Sequence, residues 1–281
     1  MPEGPEVKNL TLWLNKKFKY KKILNIKINS GKYKKKSVNL NKIILNKKIF
    51  PLIIEEINCK GKFIYFLFKN TDIVLFITLG MSGWFQLEEE KHNHIQFDFS
   101  NETLFFNDYR NFGNIIVSTR EELDKKLLSL GADILEKKDN FKLFQERINR
   151  KRDDTYIASA ILDQKVSAGV GNYIRAEALY ISKISPYRKI KNINKNELKK
   201  LWNILKQVGF FYYNEKIGKK EGIIDGKYTL VNKIKKFGPS KYKPEEGKFL
   251  VYRQKEDPKG NKVTSEKLNN RTIHYVKKIQ N

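Results

Sequence analysis

The chain of 281 residues holds one cysteine, Cys59, three histidines, two methionines and only nine arginines. A single cysteine excludes an internal disulfide and any zinc site built on several thiolates. No apolar run approaches the roughly 20 residues that a membrane-spanning helix needs. The start, Met-Pro-Glu-Gly-Pro-Glu, carries acids and no apolar core, so no secretory signal is expected and an intracellular, reducing compartment is. Acid is scarce overall: 31 Asp and Glu face 57 Lys and Arg, a net charge of +26. A purely structural monomer gains nothing from such self-repulsion. The charge points to a polyanionic partner, nucleic acid first and an anionic membrane surface second. Part of the excess has a compositional source, because 48 of the cations are Lys in a chain rich in Asn and Ile, as an AT-rich genome encodes. With 40% hydrophobic and 12% aromatic residues, the chain is no disordered basic tail.

The charge is uneven. Between Val7 and Ile54 there are fourteen Lys and no acid, a stretch that repels itself unless something anionic lies against it. Val7, Leu10, Leu14 and Phe18 recur at helical spacing and predict a helix over Glu6–Phe18. Short β-branched or aromatic runs follow at Ile23–Ile28, Ile43–Ile49, Phe63–Phe68, Ile73–Thr78, Ile95–Phe99, Thr103–Phe106 and Asn114–Ser118, the pattern of an antiparallel sandwich or barrel. Beyond Glu121 the pattern turns helical, at Glu121–Leu130, Asn140–Ile148, Thr155–Asp163, Gly169–Ser182 and Lys195–Phe211, with Gly131-Ala132-Asp133 read as a connection. Residues 214–248 are rich in Gly, Lys and Pro and read as a mobile loop. Phe249–Arg253, a turn at Asp257-Pro258-Lys259-Gly260, and Arg271–Val276 predict a terminal hairpin. The expected fold is α+β: an N-terminal antiparallel β-sandwich with a flanking helix (residues 1–133), a helical domain (134–248) and a β-hairpin (249–281).

Four segments carry residues suited to chemistry. Removal of Met1 before Pro2 would expose a secondary amine with a pKa near ~8, able to attack an aldehyde-level carbon and form an iminium. Glu3 stands beside it for proton transfer, and Glu6 lies one helical turn further on. The same residues also make an ordinary helix start, with Pro and acids in the first turn. Leu79-Gly80-Met81-Ser82-Gly83 is a tight turn bearing a flexible apolar side chain, or a plain hairpin turn. Asn107–Gly113 sets Arg110 and Phe112 two apart, a cation and a ring of the kind that fills a gap in a base stack, or an exposed turn with one buried ring. Leu162–Asn172 ends in small residues before a helix whose expected cap is Asn172, with free N–H groups able to hold a phosphate.

Taken in order over nearly the whole length, these segments resemble the Fpg/Nei (formamidopyrimidine-DNA glycosylase/endonuclease VIII) family. Pro2-Glu3-Gly4-Pro5-Glu6 is similar to its catalytic start and Gly61-Lys62 to its lysine turn. Leu79–Gly83 and Tyr109–Gly113 match its intercalating loops. Leu162–Asn172 with Tyr173-Ile174-Arg175-Ala176-Glu177 matches its helix–two-turn–helix element, and Arg271-Thr272 the arginine of its terminal finger. The resemblance implies a bifunctional DNA glycosylase/AP lyase of base excision repair, acting as a monomer on damaged double-stranded DNA and requiring no cofactor. It assigns Pro2 as the nucleophile on C1′, Glu3 as the acid that opens the sugar, and Glu6 as positioning water or the opened sugar. Lys62 and Arg271 become proton-transfer and phosphate residues of β,δ-elimination. Met81, Arg110 and Phe112 become the residues that fill the gap, and His92 and Asn172 phosphate contacts.

Two departures stand out. The commonest relatives end in a four-cysteine zinc finger, whereas this tail has no Cys and is similar to the "zincless finger" members. Asp154 stands where many relatives have a basic phosphate contact, with Lys151 or Arg152 as the candidate substitute. Gly4 and the Asn172–Glu177 segment resemble the Nei-like branch, which implies a preference for oxidised pyrimidines and formamidopyrimidines. The alternatives are an Fpg-type enzyme preferring 8-oxoguanine and a non-catalytic DNA protein that binds damage. The base-contacting loop of the family falls at Lys219–Tyr228.

Overall fold

The computed structural model describes residues 2–36, 40, 46–217 and 249–280. The expected strand at Ile43–Ile49 lies partly outside these residues, and where it is described, at Lys47–Ile49, the chain forms a 3-10 turn. The loop expected at 214–248 begins later than its composition suggests, because helix Lys195–Ile217 continues to its last residue; 218–248, with the base-contacting loop, lie outside the described residues. The described residues form two compact units. One holds Pro2 and Glu6–Leu128, the other Glu3–Pro5, 129–217 and 249–280.

The first unit is the sandwich. Helix α1 (Gly4–Phe18) enters it from Glu6 and buries Val7, Leu10, Leu14 and Phe18, as their spacing requires. One sheet has the order β1 (Lys22–Ile23), β3 (Leu52–Lys60), β4 (Phe63–Phe68), β5 (Ile73–Thr78), β9 (Asn114–Thr119). The other runs β2 (Asn25–Ile28), β7 (Asn93–Asp98), β8 (Thr103–Asn107), β6 (Trp84–Gln86). Every pairing is antiparallel. Phe66 and Phe68 of one sheet share a core with Phe85, Phe97 and Phe106 of the other, the Phe66 and Phe85 rings standing 5.8 Å apart.

Two features of this unit escape sequence patterning. The run Ile23–Ile28 is two strands in different sheets, and Leu24, 47% exposed, is where the chain crosses over. Strand β3, the longest, was missed because Glu55 and Glu56 break its apolar pattern, and the ladder shifts register between Ile54 and Glu56. The acid-free lysine stretch is partly answered from within the chain: Lys17 (2.8 Å) and Lys21 both reach Glu102, and Lys27 reaches Asp98 at 3.0 Å.

The second unit is helical. Helices α2 (Tyr33–Lys36) and α3 (Arg120–Ser129) belong to the first unit; α4 (Phe141–Asn149), α5 (Ile157–Ala160), α6 (Asn172–Ser182) and α7 (Lys195–Ile217) belong to this one. The helix expected over Thr155–Asp163 shortens to the four residues of α5, flanked by turns. Phe144 of α4 stacks on Trp202 of α7 at 4.5 Å in the centre of the core. Gly131-Ala132-Asp133 is more than a connection, since β10 (Ala132–Asp133) pairs in parallel with β11 (Ser167–Ala168).

The terminal hairpin is real but differently built. Its strands are β12 (Thr264–Leu268) and β13 (Arg271–Tyr275), joined by Asn269-Asn270, both at positive φ (48° and 61°) as a tight hairpin turn requires. Phe249–Arg253 forms no strand. The N–H groups of Leu250, Val251 and Tyr252 donate instead to the Glu177 carboxylate at 2.8–2.9 Å, and that fully buried acceptor outcompetes any strand partner. The Asp257–Gly260 turn forms as expected: Asp257 Oδ1 accepts the N–H groups of Lys259 and Asn261, and its Oδ2 accepts the Tyr180 hydroxyl of α6 at 3.0 Å. Val251, Val263 and Val276 pack with Ala176 of α6 beside it. With no cysteine in 249–281, these residues do not fit the zinc of a four-cysteine finger. Among the described residues no three His, Cys, Asp or Glu side chains are grouped as metal ligands, and no helix is long and apolar enough to cross a membrane.

Candidate active site

In the second unit the site grows from the start of α6. The expected cap, Asn172, is in fact the first helical residue, and Gly171 takes the cap position. Nor are the N–H groups that follow free for a phosphate. Tyr173 donates to Glu3 Oε1 at 2.9 Å and Ile174 to Oε2 at 3.3 Å. A carboxylate 170 positions away in sequence thus caps the helix, where the macrodipole favours negative charge. Gly171 is required here, because a Cβ at that position would overlap the Glu3 side chain. Glu3 is 1% exposed. The Gly4 N–H fixes the same segment on Gly169 O at 2.9 Å.

Arg175, one turn into α6, is also buried. Its Nη2 donates to Thr272 O of β13 (3.0 Å) and to Asn172 Oδ1 (3.2 Å), which ties the hairpin to the helix. Burial lowers its pKa to about 10; Glu3 opposes the shift and exposed Arg271 adds to it. Tyr252 has its pKa raised by burial, with Glu3 acting in the same direction and Arg253 against it. Glu3, Arg175, Tyr252 and Arg271 therefore form one electrostatic neighbourhood. Sequence reasoning named Glu3 and Arg271 and gave no role to Arg175 or Tyr252. The available signal was one of nine scarce arginines inside the apolar run Tyr173–Leu179.

In the first unit four expected residues gather around Asp108, which is fully buried. Its Oδ1 accepts the hydroxyl of Ser82, next to Met81, and Ser82 Oγ in turn accepts the Arg110 N–H at 3.0 Å. Its Oδ2 accepts the Gly113 N–H at 2.6 Å, next to Phe112. Its own N–H donates to His92 O at 3.1 Å. Gly80, at φ +59°, lies so close to the Phe112 backbone that a Cβ would clash with it. Arg110, Phe112 and His92 are exposed and Met81 is half-buried. The remaining expected residues stand outside this group. Lys62 occupies the two-residue turn between β3 and β4, after Gly61 at φ +58°. Glu6 is half-buried in the first turn of α1, and Pro2 is half-buried beside Glu3. Near Asp154, which is exposed, Lys151 pairs with Asp163 and Arg152 stays exposed.

Three family profiles match in order: the formamidopyrimidine-DNA glycosylase N-terminal domain over residues 1–115, its H2TH domain over 130–209 and its C-terminal domain over 240–281. The chain is 30% identical to a formamidopyrimidine-DNA glycosylase of Wolbachia sp. subsp. Drosophila simulans, covering 100% of both chains. The chain belongs to the formamidopyrimidine-DNA glycosylase family. It is thus a DNA glycosylase of base excision repair. A formamidopyrimidine-DNA glycosylase of Ligilactobacillus salivarius is 34% identical over 74% of this chain and 76% of that one. Among solved structures, the Lactococcus lactis Fpg in complex with DNA containing an oxidised pyrimidine shares the fold at a TM-score of 0.78, with 20% identity and 99% of each chain covered. A MutM bound to DNA with carbocyclic 8-oxo-G does so at 0.79, with 20% identity and full coverage of both chains. The α+β architecture of this formamidopyrimidine-DNA glycosylase family member, sandwich first and helix–two-turn–helix second, is that of these neighbours.

Proposed function

We propose that the chain is a bifunctional glycosylase/AP lyase that excises oxidised bases from double-stranded DNA through a Schiff base on Pro2. The observation that carries the reading is Glu3, buried on the first N–H groups of α6 and bonded in sequence to Pro2. Those two backbone bonds hold the carboxylate in one position, as a group that passes a proton to substrate requires. With Met1 removed, the Pro2 amine attacks C1′ and the base leaves. Glu3 protonates the ring oxygen as the sugar opens to an iminium. Loss of the 3′ and then the 5′ phosphate follows, with Arg271 and Lys62 as phosphate and proton-transfer residues and Glu6 positioning water. Met81, Arg110 and Phe112 fill the stack that the flipped nucleotide vacates, and His92 and Asn172 meet flanking phosphates. Flipping costs a few kcal/mol, which is why such fillers belong in a damage finder.

Oxidised pyrimidines and formamidopyrimidines are the favoured lesions, from Gly4 and the Asn172–Glu177 segment. A preference for 8-oxoguanine is the second reading, favoured by a structural neighbour that holds a carbocyclic 8-oxo-G. Borohydride trapping on duplexes bearing thymine glycol, a formamidopyrimidine, 8-oxoguanine or an abasic site tests all of this. A covalent adduct is expected with the wild type and none with Pro2→Gly/Glu3→Gln. Absence of any wild-type adduct, with Pro2 verified as the mature terminus, would overturn the reading in favour of a damage-binding protein without catalysis.

A further inference from the structure

The four stack-filling and phosphate-facing candidates of the first unit come from three separate segments, Leu79–Gly83, the turn at His92 and Tyr109–Gly113. Their tips are largely exposed, and an exposed loop tip alone has no fixed geometry. Asn111, in the middle of the third segment, sits at φ +58°, and its side-chain oxygen is buried without a hydrogen-bond partner. A loop of this kind persists only where surrounding contacts over-determine it.

Those contacts converge on Asp108. Through its side chain it holds Ser82 and Gly113; through its backbone it holds His92, Asn111 (N–H to Asp108 O, 2.9 Å) and the ring of His94 (Nε2 to Asp108 O, 2.9 Å). His94 is itself fixed by the Ser30 hydroxyl at 2.8 Å from Nδ1, so the turn at His92 is braced from a fourth segment. The Tyr33 hydroxyl donates to Gly113 O at 2.8 Å, and its pKa is raised by burial and then by the Asp108 charge. Among the described residues Asp108 has no ion-pair partner; the donors that satisfy its carboxylate are the loops themselves. A buried carboxylate is costly when a donor is withdrawn. Displacement of either loop therefore acts on the other through this one group.

We propose that Asp108, with Ser82 as its relay, is the positioning residue that couples the Met81 loop to the Arg110–Phe112 loop, so that both enter the duplex as one unit when a base leaves the stack. This inference rests on the glycosylase reading above. It predicts a defect confined to substrates in which a stack must be filled. Single-stranded abasic DNA has no paired base to expel and no duplex gap to plug, so Schiff-base chemistry on it does not call on the loops.

The test compares two measurements on full-length protein: single-turnover excision of thymine glycol paired with adenine in duplex DNA, and borohydride trapping on a single-stranded abasic oligonucleotide. Asp108→Asn is expected to lose about tenfold or more on the duplex, as loss of a charge-assisted hydrogen bond implies, while staying within about twofold of wild type on the single strand. Ser82→Ala is expected to follow the same pattern more weakly, and Ser82→Thr, which keeps the hydroxyl, to restore duplex activity. The double variant Asp108→Asn/Ser82→Ala should be no worse than Asp108→Asn alone, because both remove one linkage. Duplex excision by Asp108→Asn within twofold of wild type overturns the proposal. So does an equal loss on both substrates, which marks a merely structural residue. If Asp108→Asn does not fold, the Ser82→Ala and Ser82→Thr pair decides by the same criterion. A wild type that traps neither substrate refutes the glycosylase reading instead, and is distinguishable because no variant is then compared.

Discussion

Both units organise their candidate residues around buried carboxylates, and they use them in opposite ways. In the second unit Glu3 is itself the group assigned to chemistry, anchored by the N–H groups of Tyr173 and Ile174. In the first unit Asp108 is the anchor and the assigned residues are the exposed tips it holds, Arg110 and Phe112 among them. The difference follows from what each group would do. A proton-transfer group needs one fixed position within a few tenths of an ångström, whereas a stack filler needs a fixed base and an exposed tip. Glu177 is a third case, a buried carboxylate that accepts the backbone N–H groups of Leu250, Val251 and Tyr252 and has no assigned part in the chemistry.

The contrast can be broken most severely at Glu3. Glu3→Gln keeps the shape and removes the acid, and excision in single turnover is expected to fall about 10²–10⁴-fold, the usual contribution of general acid–base catalysis; a loss under threefold would remove Glu3 from its role. Gly171→Ala attacks the same point from the helix side. Its Cβ occupies the space of the Glu3 side chain, and a displacement of that size is expected to cost about 10²-fold in rate. Activity near wild type in that variant would mean that the cap on α6 does not set the position of Glu3.

Glu177→Ala tests anchoring without chemistry. Three N–H groups, that of Val251 buried and those of Leu250 and Tyr252 partly so, lose their acceptor, and urea unfolding is expected to show a loss of about 3 kcal/mol or more. A subtler probe is His274, whose ring meets Tyr252 at 5.1 Å and whose Nδ1 is buried without a hydrogen-bond partner. Burial, then Arg253 and Arg175, lower its pKa from 6.5. The folded state therefore binds fewer protons than the unfolded one, so stability is complete above pH 6.5 and is lost as pH falls toward the lowered value. Melting temperatures at pH 7.5 and 5.5 should fall more for wild type than for His274→Phe; parallel curves would exclude the imidazole. The smallest effect is expected for Glu102→Gln in the first unit, less than about 1 kcal/mol and vanishing at high salt, because its lysine partners lie near the surface.

The ordered motifs and the sandwich-then-helices pattern were legible in the sequence because strand alternation and helical spacing are local. Leu24 shows where legibility stops: nothing in Ile23–Ile28 distinguishes one strand from two that change sheets. The failure at Phe249–Arg253 has the same origin. Its pattern is a good strand, and what unmakes it is Glu177, more than seventy positions away in sequence. At the site, Glu3 and Arg271 were named as candidates by motif, while the capping of α6 by Glu3, the tether through Arg175 and the hub at Asp108 are long-range polar contacts. Asp108 in particular reads as an ordinary turn residue before Tyr109.

The hairpin that presents Arg271 bears on survival under stress. Residues 249–281 contain neither Cys nor Met, and the Asp257 turn, the Glu177 clamp and the Val251–Val263–Val276 packing hold the hairpin against α6. Peroxide has no thiolate or thioether to attack there, and a chelator has no thiolate-bound ion to withdraw. A cell short of zinc, or flooded with the oxidants that damage its bases, would keep this arginine in place.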